Sequence, residues 1–216
     1  MESKNLKIIA LSLAACAMVM FAPAVAFAET AMAKIEAGEF KAGENKTTAS
    51  TGAFEIDKFE VTHAEFKKFR PDHVIPEGKE KHPVTEVTYF DAEEYCDAAG
   101  KRLPTGAEWE KAARGTDGRE YPWGDEFDTS KVNTIESGSN STSPVGAFPA
   151  GASPSGAMDM SGNVWEWVDE WASDEKKYKT LRGGSFFDKK HLSKTYSVLK
   201  SIPDDSHTYI GFRCAK

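Results

Sequence analysis

The sequence predicts an irregular α+β single domain with low regular secondary structure, and three observations carry that prediction. The chain has 216 residues, a length that suggests one domain. Two short segments bear complete helix start and stop signals, while the other ordered segments read as short strands. Between Gly115 and Met160 periodicity is poor, and Gly, Ser, Thr, Pro, Asn and Asp dominate.

Ile35–Phe40 and Phe54–Phe59 read as strands, separated by the polar stretch Asn45–Gly52, which reads as a loop. His63–Arg70 reads as a helix, with Phe66 and Phe69 three apart on one face. Pro71–Lys81 is a charged loop, and His82-Pro83-Val84 opens another extended piece. Thr88 has Asp91 three residues later, the pattern of a capping box. Ala92, Tyr95, Cys96 and Ala99 then follow the spacing of a single helix face, and Gly100 ends the segment. A second helix starts at Thr105 with Glu108 in the box position, turns Trp109, Ala112 and Ala113 inward, and stops at Gly115. In the long irregular stretch that follows, Trp123, Val145 and Phe148 favour a packed loop region over a disordered one. Gly162-Asn163-Val164-Trp165-Glu166-Trp167 reads as a Gly-Asn turn followed by an aromatic strand. Alternation would put Trp165 and Trp167 on one side and Glu166 on the other. Arg182–Phe187 and Tyr209–Cys214 read as closing strands around a charged segment that runs to Lys200.

The first 28 residues read differently from the rest. A short positive start, an apolar run from Ile8 to Val25 and the small residues of Ala26-Phe27-Ala28 make a secretory signal peptide cleaved after Ala28. A membrane anchor is the weaker reading, because it needs about 20 clean apolar residues without such an exit. Leu13-Ala14-Ala15-Cys16 matches a bacterial lipobox, so a lipoprotein anchored at Cys16 is the alternative to a periplasmic or secreted protein. Cleavage removes two lysines and one glutamate from 27 basic and 34 acidic residues, which leaves a net charge of −8 and no transmembrane span in the mature chain. Such a charge argues against nucleic acid or an anionic membrane surface as partner. Of the three cysteines, Cys96 and Cys214 remain, and two cysteines in an exported chain suggest a disulfide. Two separate buried thiols are the alternative, which an oxidising compartment disfavours.

Phe59-Glu60-Val61-Thr62, His82-Pro83-Val84, Tyr95-Cys96 and Gly100–Glu110 come in a recognisable order. Tyr121-Pro122-Trp123-Gly124, Pro144-Val145-Gly146, Gly162–Trp167, Arg182-Gly183-Gly184-Ser185-Phe186 and Gly211-Phe212-Arg213-Cys214 continue it. This series resembles the sulfatase-modifying-factor, or formylglycine-generating enzyme, domain family over essentially the whole chain after residue 28. The resemblance implies an irregular C-type-lectin-like fold and pairs Cys96 with Cys214. It also implies a calcium site in which Asp159 and Glu166 give side-chain oxygens and Gly162 and Val164 give backbone carbonyls. All-oxygen ligation suits that ion. A second and weaker calcium site would begin at Asn133 and Thr134, where Ser137 and Ser139 fall at the positions of stronger ligands. Without the resemblance, Glu166 reads equally as a solvated acid.

One departure concerns the chemistry. The family's active members carry two cysteines, five apart, after the Arg-Gly-Gly-Ser motif, and these thiolates bind a cuprous ion. Here Asp188 and Ser193 occupy the two positions. Hard oxygens do not replace two soft sulfurs, so copper and the copper-dependent oxidase activity are not carried over. Trp165 and Ser185 would line the same cleft. Asp188 and His191 form a weak acid–base or metal candidate against the blander reading of a solvated loop. Function then divides between an exported binding or accessory module holding a peptide, glycan or protein, and a divergent enzyme in the oxidative maturation of a peptide, siderophore or sulfatase.

Overall fold

A computed structural model describes residues 30–216. The expected signal peptide and Cys16 lie outside these residues. Among the described residues, no helix is long and apolar enough to cross a membrane.

The N-terminal part is built from two antiparallel pairs. Strand β1 (Met32–Ile35) pairs with β4 (Phe54–Asp57), and β2 (Gly38–Ala42) pairs with β3 (Thr47–Thr51). The single strand expected at Ile35–Phe40 is thus divided between β1 and β2, with Gly38 at φ 135° after the break. The expected loop at Asn45–Gly52 holds β3 instead. Its Thr-Thr-Ala-Ser-Thr sequence has β-branched residues but no apolar alternation, because the hairpin is largely exposed on both faces.

Three short helices follow: α1 (His63–Phe69), α2 (Tyr89–Ala98) and α3 (Gly106–Arg114). Each opens with a reciprocal capping box, Thr62 with Glu65, Thr88 with Asp91 and Thr105 with Glu108. Such caps satisfy amides that the first turn leaves open. Gly100 and Gly115 lie just past the ends of α2 and α3 at φ 68° and 69°, a region that favours glycine. From Gly115 to Met160 there is no strand or α-helix, only three short 3-10 turns.

The C-terminal part is a four-stranded sheet in the order β7-β6-β5-β8, comprising β5 (Trp165–Trp171), β6 (Lys179–Arg182), β7 (Val198–Ser201) and β8 (Ile210–Gly211). The β5–β8 pair is parallel and the others are antiparallel. The strand expected at Arg182–Phe187 therefore ends where it was to begin. Gly183 and Gly184, at φ 101° and 78°, turn the chain there. Strand β7 lies within the segment that reads as charged and loop-like, since Val198 and Lys200 face outward.

Two apolar clusters flank the closing segment. One gathers Phe66, Tyr95, Trp165, Trp167, Leu181 and Phe212, and the other gathers Ile35, Ile56, Trp109, Met160, Val168 and Ala215. Cys96 on α2 is joined to Cys214, with Cα atoms 5.6 Å apart and a sequence separation of 118. Replacing both cysteines by serine is expected to cost roughly 4–5 kcal/mol, read as a lowered denaturation midpoint. A thiol assay on the denatured, unreduced protein should find none; free thiols would count against the bridge.

At the foot of α1, His63 Nδ1 lies 2.9 Å from His73 Nε2, and the two rings stack. Burial lowers the His63 pKa from its ordinary 6.5 to about 4, with the charges of His73, His82 and Lys79 acting in the same direction. Burial lowers His73 as well. Between these values the unfolded chain binds more protons than the folded one, so stability rises with pH. The contribution is complete above pH 6.5 and is lost as the pH falls toward 4. Replacing His73 by asparagine should flatten the melting temperature against pH in that window. An unchanged slope would remove the assignment.

Candidate cleft and buried charge centre

The Gly-Asn turn before β5 is built on left-handed backbone. Asp159, Gly162 and Asn163 sit at φ 58°, 72° and 64°. A Cβ on Gly162 would lie 2.3 Å from the carbonyl oxygen of Asn133, so only glycine fits. The turn binds three distant segments: Gly162 N donates to Gly183 O, Asn163 N to Asn133 O, and Phe186 N to Asn163 O.

Trp165, Glu166 and Trp167 are all buried, so β5 has core on both faces and Glu166 is not a solvated acid. Glu166 Oε2 accepts from Arg213 Nε at 2.7 Å and from Trp109 Nε1 at 2.8 Å, while Oε1 accepts from Arg213 Nη2 at 2.7 Å. The remaining Arg213 protons go to the carbonyls of Asp57, Lys58 and Met158. Every donor of this fully buried guanidinium therefore has an acceptor.

Two further carboxylates lie near it. Glu60 is 1% exposed; its Oε1 accepts from Asn163 Nδ2 at 2.9 Å, and its carboxyl shares a hydrogen bond with that of Asp159. Burial pushes its pKa well up, and the charge of Asp159 adds to this. Asp159 Oδ2 accepts from Gly146 N at 2.6 Å, and burial raises the Asp159 pKa too. Asn163 Oδ1 accepts from Ser143 N and from Asn133 Nδ2. Beyond that amide, Asn133 Oδ1 and Thr134 Oγ1 are buried without partners.

This arrangement tests the expected calcium ligands. The set Asp159, Gly162, Val164 and Glu166 does not fit a dication here, because Glu166 is the counter-ion of Arg213 and its two oxygens are held by guanidinium and indole. An ion bound there would lie beside a buried positive charge. Asn133 and Thr134 do fit, since each presents a buried oxygen that nothing satisfies. Ser137 and Ser139 are less available, as their hydroxyls bond the backbone carbonyls of Thr134 and Ser141.

The four cleft positions come together. Trp165 Nε1 donates to Asp188 Oδ2 at 2.8 Å, and Ser185 Oγ donates to the same oxygen. Ser193 is buried behind them, with its Oγ on Lys190 O and its own carbonyl accepting from Ser161 Oγ at 2.6 Å. Tight packing fixes this turn, because a Cβ on Gly184 would meet Ser193 Cα at 2.9 Å. His191 is not brought to Asp188. It lines a separate hollow of about 370 Å³ with Glu120, Tyr121 and Phe127, and its side chain has no hydrogen bond among the described residues. Beside Asp188, Phe187 is 70% exposed and stacks on Tyr209, which stacks on His207. This aromatic ridge was not readable from the sequence, because Phe187 stands far along the chain from His207 and Tyr209.

Replacing Glu166 by glutamine should be strongly destabilising, by about 3–5 kcal/mol, because it leaves a buried guanidinium without its counter-charge. Urea unfolding measures this, and a change under about 1 kcal/mol would contradict the assignment.

Several proteins are similar to this chain. "Inactive C-alpha-formylglycine-generating enzyme 2" of Bos taurus is 37% identical over 154 residues, covering 63% of this chain and 51% of the relative. "Formylglycine-generating enzyme" of Streptomyces coelicolor is 38% identical over 171 residues, covering 64% and 54%. The chain thus spans about half the length of these curated relatives. Among solved structures, Treponema denticola variable protein 1 superposes with a TM-score of 0.77 at 20% identity, over 85% of this chain and 94% of that one. This last likeness concerns the fold, which is the irregular C-type-lectin-like α+β arrangement expected from the sequence. The model of the "Sulfatase-modifying factor enzyme 1-like domain" matches residues 19–216, and the chain belongs to that family.

Proposed function

We propose that this chain is an exported binding or accessory module of its family, and not a copper-dependent oxidase. The observation that carries the reading is the state of Asp188. It stands where a thiolate is needed, and one of its oxygens is already held by Trp165 and Ser185. Ser193, at the second position, is a buried hydroxyl bonded to backbone. Carboxylate and hydroxyl oxygens are poor ligands for Cu(I). The remaining cysteines of the described chain are joined to each other. Similarity to a relative named as inactive supports the same view.

Trp165 and Ser185 hold Asp188 in place, and beside it the exposed Phe187 stacks on the half-buried Tyr209, which stacks on His207. A peptide, glycan or partner protein is the ligand class we assign to this cleft. Calcium belongs to the proposal as a structural ion held by Asn133 and Thr134, where it would satisfy two buried oxygens. It would cross-link the irregular loop to the turn before β5.

A divergent enzyme is the second reading, and the Ser185–Asp188 hydrogen bond favours it, because it places a hydroxyl against a carboxylate at the cleft floor.

Incubating the protein with Cu(I), oxygen and a cysteine-containing peptide should give neither stoichiometric copper binding nor turnover by mass spectrometry. Turnover would sink the non-oxidase reading. Replacing Asp188 by alanine separates the other two: a binding module should lose ligand capture without losing any reaction, whereas a divergent enzyme should lose product. Removing calcium with chelator should lower the melting temperature, and Thr134→Val should remove part of that effect.

A further inference from the structure

The β7-β6-β5-β8 sheet ends on one side at β7, which is four residues long and pairs with β6 alone. In an antiparallel pair, alternate residues turn their N–H and C=O groups toward the partner strand, and the residues between turn them away. Part of the backbone of Val198–Ser201 therefore faces outward from the sheet. Among the described residues it meets no backbone partner on that side, either in a hydrogen bond or in an isolated bridge. The side chains here are not those that usually guard a strand edge. Val198 and Ile202 are each 44% exposed, and only Lys200 between them is charged. An open edge that carries apolar side chains is a template for a further strand.

The sequence of the edge selects the strand that fits it. Residues 197, 199 and 201 turn toward the core, and residues 198, 200 and 202 turn toward solvent. Two copies of β7 can lie antiparallel about a twofold axis perpendicular to the sheet. Their faces then align only if the axis passes through a residue position. Leu199 and Lys200 are the two central positions of the strand. An axis at Lys200 sets two ammonium groups directly opposite one another, which is destabilising. An axis at Leu199 sets Val198 against Lys200 of the second copy, Leu199 against its own mate, and Ser197 against Ser201 of the second copy. No charge then faces a like charge along the strand, and the half-buried Leu199 acquires an apolar neighbour. The contact is isologous, so the assembly closes at two copies and does not propagate.

We infer that β7 pairs with β7 of a second copy, antiparallel about Leu199, so that two four-stranded sheets become one continuous sheet. The paired segment is short, so the dimer is weak and depends on concentration.

Sedimentation of the protein over a concentration series reaching about 1 mM should show monomer passing to dimer. Val198→Lys sets a lysine against Lys200 of the second copy and should weaken the dimer by about tenfold or more. It should leave the melting temperature of the dilute protein unchanged, because Val198 is exposed in the monomer. Under mild oxidation Leu199→Cys should form a disulfide with its own mate, and Val198→Cys should not. Directly opposed positions lie within bridging distance, whereas positions two residues out of register do not. Should Leu199→Cys not fold, the Val198→Lys comparison still decides. A protein that stays monomeric across the series would overturn the inference and leave the edge to solvent or to a strand of another protein. So would a Val198→Lys protein that dimerises as the wild type does, or a disulfide at Val198→Cys in place of Leu199→Cys.

Discussion

The Glu166–Arg213 pair is the interaction on which the rest of this structure depends. Regular elements are short here, and three separate sheets share the domain. Little in that architecture holds distant segments in register. The guanidinium does so by collecting acceptors from the end of β4, the loop before β5 and β5 itself, while Glu166 adds the indole of α3. Isolated buried ion pairs often contribute little net stability, because desolvation offsets their attraction. Full satisfaction of the guanidinium changes the balance: each competing arrangement would strand at least one charged donor in the interior. The pair therefore acts most strongly on which fold forms.

The closing segment extends this logic residue by residue. Phe212 packs into one apolar cluster, Arg213 enters the charge centre, Cys214 is bridged to α2, and Ala215 joins the other cluster. Ala215 also pairs with Ile56 and Arg102. Four consecutive side chains thus serve four different contacts, and a slip of one residue would misplace all of them. An irregular domain can be well specified when its register is fixed by chemistry that tolerates no exchange.

What the sequence made legible follows from range. The caps of α2 and α3 were readable because Thr and its acidic partner stand three residues apart, and the stops at Gly100 and Gly115 are equally local. Strand β3 was hidden because an exposed hairpin lacks an apolar face, and β7 because apolar Val198 faces outward while polar Ser201 faces inward. At the cleft, Trp165, Ser185, Asp188 and Ser193 could be placed together through ordered family motifs. The role of Glu166 could not be assigned in this way, since its partner lies 47 residues away. A carboxylate in a strand offers the same letter whether it faces a metal, an arginine or water. Glu60 was quoted only as part of a motif, and nothing local marks its carboxyl as paired with that of Asp159.

At Asp188 the order of a turn is separable from the chemistry of its atoms. Asp188 accepts hydrogen bonds from an indole and a hydroxyl, which hold the turn after β6 in place. Hydrogen bonding asks only for an acceptor in the right place, whereas cuprous ligation asks for polarisable sulfur. The two demands can be met or lost independently. Meeting the first keeps an ordered turn beside an aromatic ridge. The order of this turn and the reactivity of its atoms are therefore separate matters, and the second is set by the atoms at positions 188 and 193.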